Sequence, residues 1–215
     1  PAGEVRPKGW LYDLMKEDIT TGFVAELDNL APDVMKGDDL FNTTRRKDAN
    51  DIPDVGDQVL TGAAWEISMQ WWSGETLGNW WDGYVRTAFL TGDEAAMQRS
   101  KEVVEYLMST QDEDGYFGIY GDSMRYNHSG SNGELWTKTT VFRMMLGYYE
   151  MTGDERVLEM VEKGMGNTMT YYNKGVKSPF NVSVEYGGVT HGLMMTDVCE
   201  MLYRITGKQV YSDYA

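Results

Sequence analysis

Apolar residues recur along much of this chain at the spacing of helices that bury one face. Val103, Val104, Leu107 and Met108 mark one stripe, Val141, Phe142, Met145, Leu146 and Tyr149 a second, and Met194, Met195, Val198, Leu202 and Tyr203 a third. Strand-like alternation is scarce, so the pattern predicts an all-α chain. Alignment on the Thr-Gly dipeptides brings out a repeat: YVRTAFLTGDEAAMQRSKEVVEYL, then MLGYYEMTGDERVLEMVEKGM, then CEMLYRITGKQVYSDYA. Each copy reads as an aromatic-bearing helix, a Thr-Gly turn and a helix that opens on acidic or polar residues. The turns at Thr91, Thr152 and Thr206 lie 61 and 54 residues apart, too uneven for a tight solenoid but natural for helical hairpins with loops of differing length. Glycine supplies the left-handed stop after each first helix. Asp93 and Asp154 then suit the caps or first turns of the second helices, where a carboxylate meets free amides and the positive end of the dipole. The second pair is predicted from about Leu135 to Met151 and from Glu155 to Met169, and a third opens near His191.

The hairpins occupy residues 61–215, preceded over residues 1–60 by an N-terminal arm and a surface-wrapping segment. Residues 31–58 lack helical periodicity. The link QDEDGYFGIYGDSMRYNHSGSNG is long, polar and glycine-rich, which in a compact helical protein marks a functional loop. The link from Tyr171 to Thr190 holds Pro179 and a VSVEYGG run and is expected to add a small hairpin or strand. The third copy stops at Tyr214-Ala215, inside its second helix, which leaves an apolar face without the neighbours of the earlier pairs. The expectation is a partial toroid of helical hairpins, one piece of a larger ring.

Composition narrows the partners. At 215 residues and 41% apolar content the chain can build a real core. Its net charge of −15 repels phosphate backbones and anionic lipid, so neither nucleic acid nor a membrane surface is an expected partner. No apolar run approaches the length of a bilayer span and no charged-then-apolar leader opens the chain; a periplasmic or secreted location is marginally favoured over a cytoplasmic one, and the oligomeric state is left open. A single cysteine, Cys199, excludes an internal disulfide and a metal site built from several thiolates of this chain. Fifteen methionines read as gap-fillers between helices. Seven Trp and fourteen Tyr exceed the needs of a core this size, so some are expected to line a groove; a Trp-rich core is the plainer alternative.

The candidate chemistry follows from where those aromatics sit. Trp80, Trp81 and Asp82 are read as preceding the first helix's apolar stripe, and Asp112, Asp114 and Tyr116 as following the second helix, so an antiparallel hairpin gathers both groups on one rim. Indole faces beside carboxylates suit a sugar, whose C–H faces stack on aromatics and whose hydroxyls need acceptors. Glu75 and Asp82 flank the Trp pair, and either can serve in proton transfer at a glycosidic bond; a surface carboxylate and a helix cap are the alternatives. Glu134 and Trp136 open the second pair, with a first-turn or capping role as the bland reading of Glu134. His191 opens the third pair at a loop-rich rim, whereas His128 reads as solvent-exposed. Asp112, Glu113 and Asp114 lack the spacing of a calcium loop; a turn bending at Asp114-Gly115, with Tyr116 directed into the groove, fits better.

Five stretches, in order, resemble the N-terminal half of glycoside hydrolase family 127-like proteins, the β-L-arabinofuranosidases and their relatives: GEVRPKGWLYDLMKEDITTGFVAEL, WWSGETLGNWWDGYVRTAFLTGDE, QDEDGYFG, ELWTKTTVFRMMLGYYEMTGDERVLE and VTHGLMMTDVCEMLYRITGKQVY. The resemblance implies an (α/α)6 barrel followed by β-sandwich domains, with the first part of the barrel present here. It implies hydrolysis of an arabinofuranoside or related plant or bacterial glycan at the loop rim. Asp82, Glu134 and His191 are then the candidates for catalysis, and Glu75, Trp80, Trp81, Asp114, Tyr116 and Trp136 for substrate binding. The family's zinc-bound cysteine nucleophile belongs to the second half of the barrel; Cys199, at a core spacing, reads as structural, and zinc is not supported by these residues. Two alternatives stand beside this reading: a non-catalytic glycan-binding remnant of the same fold, and an unsaturated uronyl hydrolase or lyase on a similar toroid.

Overall fold

The computed structural model of the chain describes residues 5–31, 41, 71–122, 125–126, 133–173 and 192–215. Among these, eight helices make up the regular structure: α1 (Trp10–Thr20), α2 (Phe23–Leu30), α3 (Trp71–Thr91), α4 (Glu94–Ser109), α5 (Glu134–Thr152), α6 (Glu155–Tyr171), α7 (Met195–Thr206) and α8 (Gln209–Tyr214). Among the described residues the fold is all-α, as the periodicity predicts.

The Thr-Gly turns form in the same way in all three hairpins. Thr91, Thr152 and Thr206 donate their hydroxyls back to the carbonyls of Thr87, Tyr148 and Leu202 at 2.7, 2.8 and 2.7 Å. Gly92, Gly153 and Gly207 follow with φ of 68°, 70° and 69°, a region that any β-carbon strains. Asp93 and Asp154 cap α4 and α6, accepting from the amides of Ala96 (2.8 Å) and Arg156 (3.2 Å).

The first helices of the pairs lie side by side and run parallel. Gly74 on α3 accepts from Thr140 Oγ1 on α5 at 3.2 Å, Phe89 meets Tyr148 edge-on, and Thr139 and Arg143 on α5 reach Met195 and Asp197 on α7. The returning helices make a second row, tied by Arg156 to Glu105 at 2.7 Å and by Lys208 and Tyr211 to Glu162 at 2.6 and 2.7 Å. An inner row of parallel helices backed by an outer row that runs in the opposite direction is the arrangement of an (α/α) toroid. Its core lies between the rows, where Phe117 stacks between Phe41 and Phe142 at 5.2 and 5.4 Å. The N-terminal arm packs on the first hairpin: Lys16 pairs with Asp93, Arg99 with Asp28, and Trp80 Nε1 donates to the Val24 carbonyl.

This topology separates the two ends of the molecule. Tight Thr-Gly turns close one end, and the described residues that leave the outer helices and enter the inner ones, 110–122, 125–126, 133, 172–173 and 192–194, belong to the other, where the inner helices begin.

The first hairpin differs from its sequence reading. The helix carrying Trp80, Trp81 and Asp82 begins at Trp71, so the three lie in its middle rather than at a rim. The surface-wrapping segment 31–58, apart from Ala31 and Phe41, and the expected strand near Val182–Gly188 fall outside the described residues.

Candidate active site at the loop end of the inner helices

The turn after α4 is built by its own acidic residues. The Asp112 amide donates to the Tyr116 carbonyl and the Gly115 amide to the Asp112 carbonyl, both at 2.9 Å, while Asp114 Oδ1 accepts from the Tyr116 amide at 2.9 Å. Gly115 has φ 92°, and a β-carbon there would sit 2.8 Å from the Lys163 carbonyl oxygen. The bend sends Tyr116 inward rather than into an open groove: it is fully buried, and its hydroxyl donates to Glu134 Oε1 at 2.7 Å.

Glu134 organises this end of the molecule. It is the first residue of α5 and is fully buried. Oε1 takes the Tyr116 hydroxyl; Oε2 takes the Tyr172 hydroxyl; the Tyr126 amide points at both oxygens, at 3.1 and 2.9 Å. The donors come from two different outer-to-inner links, and the carboxylate also sits at the favourable end of a helix dipole. A burial this complete is tolerable for a carboxylate only with such partners. Beside it Lys138, one turn along α5 and also fully buried, donates to Thr168 Oγ1 at 3.1 Å and lies 4.9 Å from the Tyr116 ring centroid.

Tyr126 is held from three sides. Its amide binds Glu134, its hydroxyl donates to Asn167 Oδ1 at 2.9 Å, and its ring stacks on Tyr171 with centroids 3.8 Å apart and planes at 12°. Its φ of 61° is the one positive value at a non-glycine residue among the described residues. Burial pushes its hydroxyl up to about 12. Arg125 next to it pairs with Asp112 at 3.0 Å and Asp122 at 2.9 Å, and covers the Tyr116 ring.

The sequence candidates divide by depth. Glu75 lies in the first turns of α3 and Trp136 in the first turn of α5, both half-buried at the loop end, with Asp114 half-exposed in the turn beside them. Asp82 lies elsewhere. Gly147 packs against it, and thirteen residues separate Gly147 from Glu134, so at about 1.5 Å per residue the two carboxylates stand about 20 Å apart along the helix axis. Such a distance is well beyond any carboxylate pair that cleaves a glycosidic bond. Asp82 is also no helix cap: it pairs with Arg86 at 2.8 Å and faces Arg143 at 3.9 Å, in a ladder of charges that continues from Arg143 to Asp197 and from Arg86 to Glu150. Trp80 and Trp81 are buried, at 8% and 6% exposure, against Tyr84 and under the Arg99 guanidinium, facing α4 and the N-terminal arm instead of a sugar. His191 and His128 fall outside the described residues.

Tyr126, Tyr172, Lys138 and Asn167 carry the geometry but escaped the sequence reading. The only signal for Tyr126 was its place in a long polar loop; the partners of Glu134 at positions 116 and 172 are 18 and 38 residues away and have no local signature.

Cys199 and Asp197 do not fit a zinc site. The thiol is fully buried among α7's apolar residues, burial pushes it up to about 12, and Asp197 points away to Arg143. Among the described residues no three His, Cys, Asp or Glu side chains gather as a metal cage.

No curated protein and no solved structure matches the chain. Its sequence does match a family description, "Beta-L-arabinofuranosidase, GH127 catalytic domain", over residues 30–215, a span that takes in all three hairpins and the Glu134 cluster. The chain therefore belongs to the GH127 family of glycoside hydrolases and carries sequence of its catalytic domain.

Proposed function

We propose that the domain hydrolyses an arabinofuranoside held over the loop end of its inner helices. The observation that carries this reading is Glu134: a fully buried carboxylate that fastens two separate links to the head of α5 gives that end a fixed floor. Rigid supports of this kind set substrate-facing groups to the tolerance that catalysis needs. Glu134 itself is buried with both oxygens occupied, so in this reading it positions the rim rather than moving a proton. Glu75, Asp114 and Trp136 are the groups set to meet sugar hydroxyls and ring faces, and His191 is the candidate for polar contact or proton transfer. Asp82 and its arginines shape the depth of the inner face.

The test is a substrate panel. Methyl β-L-arabinofuranoside and arabinofuranose oligosaccharides are compared with unsaturated uronic-acid oligosaccharides, with anomeric products followed by proton NMR. Release of arabinose supports the reading; turnover confined to the uronic acids would replace it with the uronyl hydrolase alternative.

A further inference from the structure

The proposed mouth has an aromatic surface on its outer side that none of the roles above uses. Tyr171, the last residue of α6, is 39% exposed although Tyr126 covers one face of its ring. Tyr126 lies in a region of φ that is costly for a bulky side chain, and such a conformation persists only where surrounding contacts over-determine it. Those contacts are the amide on the buried Glu134, the hydroxyl on Asn167 and the ring on Tyr171. Asn167 and Tyr171 are one turn apart on α6, so the helix end and the link are locked into one stacked plate. The plate has polar company: Asn167 Nδ2 donates to the Asp114 carbonyl at 3.3 Å, and the Asp114 side chain is 50% exposed. An exposed tyrosine ring beside a half-exposed carboxylate, one oxygen of which already accepts from the Tyr116 amide, offers a C–H face its stack and a hydroxyl an acceptor, the two needs of a neutral sugar ring.

We propose that Tyr171, backed by Tyr126 and flanked by Asp114, is a subsite for a sugar unit of the glycan next to the one that is cleaved. Its place at the end of an outer helix puts it outboard of Glu134, where a neighbouring unit would lie. The inference rests on the glycosidase reading above, and the test separates the two.

Tyr171→Ala and Tyr171→Phe are compared with the wild type on methyl β-L-arabinofuranoside, which has one sugar and no aromatic leaving group, and on an arabinofuranose trisaccharide; trisaccharide binding is also measured by calorimetry. Tyr171→Ala is expected to raise KM and Kd for the trisaccharide about tenfold while leaving the methyl glycoside unchanged, with Tyr171→Phe close to wild type. Equal losses on both substrates would show a structural role and overturn the subsite, as would wild-type behaviour of Tyr171→Ala on the trisaccharide. A wild type that binds the trisaccharide without cleaving it sinks the hydrolysis reading alone, and the Tyr171→Ala Kd still decides the subsite. A wild type that neither binds nor cleaves it overturns both.

Discussion

Gly78 on α3 and Thr140 on α5 approach so closely that a β-carbon at position 78 would lie 2.3 Å from the threonine Oγ1 and 2.6 Å from its Cβ. With the Thr140 hydroxyl already bonded to the Gly74 carbonyl, this contact sets the register of the two parallel inner helices. Gly78→Ala is expected to cost about 1–3 kcal/mol, since neither the threonine nor the helix backbone has room to retreat. Gly83, on the same helix with open space where its β-carbon would be, is the control: Gly83→Ala should be neutral or stabilising by up to about 1 kcal/mol through helix propensity. Urea unfolding of both variants checks the contrast.

The cap of α4 makes stability depend on acid. Asp93 is held below the usual carboxylate range by the Lys16 ammonium, 2.6 Å away, and by the Ala96 amide. A folded value below the unfolded one means that the stabilisation is complete above the unfolded value, about 3.9, and is lost as pH falls through the folded value. Asp93→Asn should therefore be less stable than wild type at pH 6, with the gap narrowing as pH falls from about 4 to 2. A gap that stays constant across that range in thermal melts would contradict the linkage.

Cys199 should be silent in the folded protein. A thiol pushed up to about 12 by burial holds only about one part in ten thousand as thiolate at pH 8. A disulfide reagent such as DTNB is expected to label it only after guanidinium is added, and rapid labelling of the native protein would show that α7 is not packed as described.

Asp82 should matter for stability before it matters for rate. Asp82→Asn leaves Arg86 and Arg143 facing one another across the inner helices, an expected loss of about 1 kcal/mol in a partly screened site. Its turnover is expected to stay within a few-fold of wild type, read by initial rates on the methyl glycoside. A collapse in rate with intact folding would restore Asp82 to the chemistry.

What could be read from the sequence was local. The Thr-Gly stops, the Asp93 and Asp154 caps and the hairpin repeat are each fixed by residues within a few positions of one another, and each formed as expected. The sequence places Trp80, Trp81 and Asp82 before the first helix's stripe, whereas α3 runs back through Gly74 and Gly78, poor helix formers in isolation that serve a close interhelical contact only the second hairpin explains. Trp80 and Trp81 looked like a rim for the same reason: once α3 is extended back to Trp71, they face Arg99 and the arm, partners 18 and more residues away. Glu134 reads in the sequence as a candidate for catalysis with a first-turn role as the alternative; it opens α5, but its burial depends on tyrosines from two links and has no signature in the flanking sequence.

The rate of methyl β-L-arabinofuranoside hydrolysis by Glu134→Gln and Tyr172→Phe, set beside their circular dichroism and melting temperatures, probes the mouth at its support. The glutamine amide turns one acceptor into a donor among three donors, so kcat/KM is expected to fall about 100-fold, and Tyr172→Phe, which removes one donor, should lower it about tenfold with the helical spectrum retained. Wild-type rates in both folded variants would contradict the placement of the active site over Glu134.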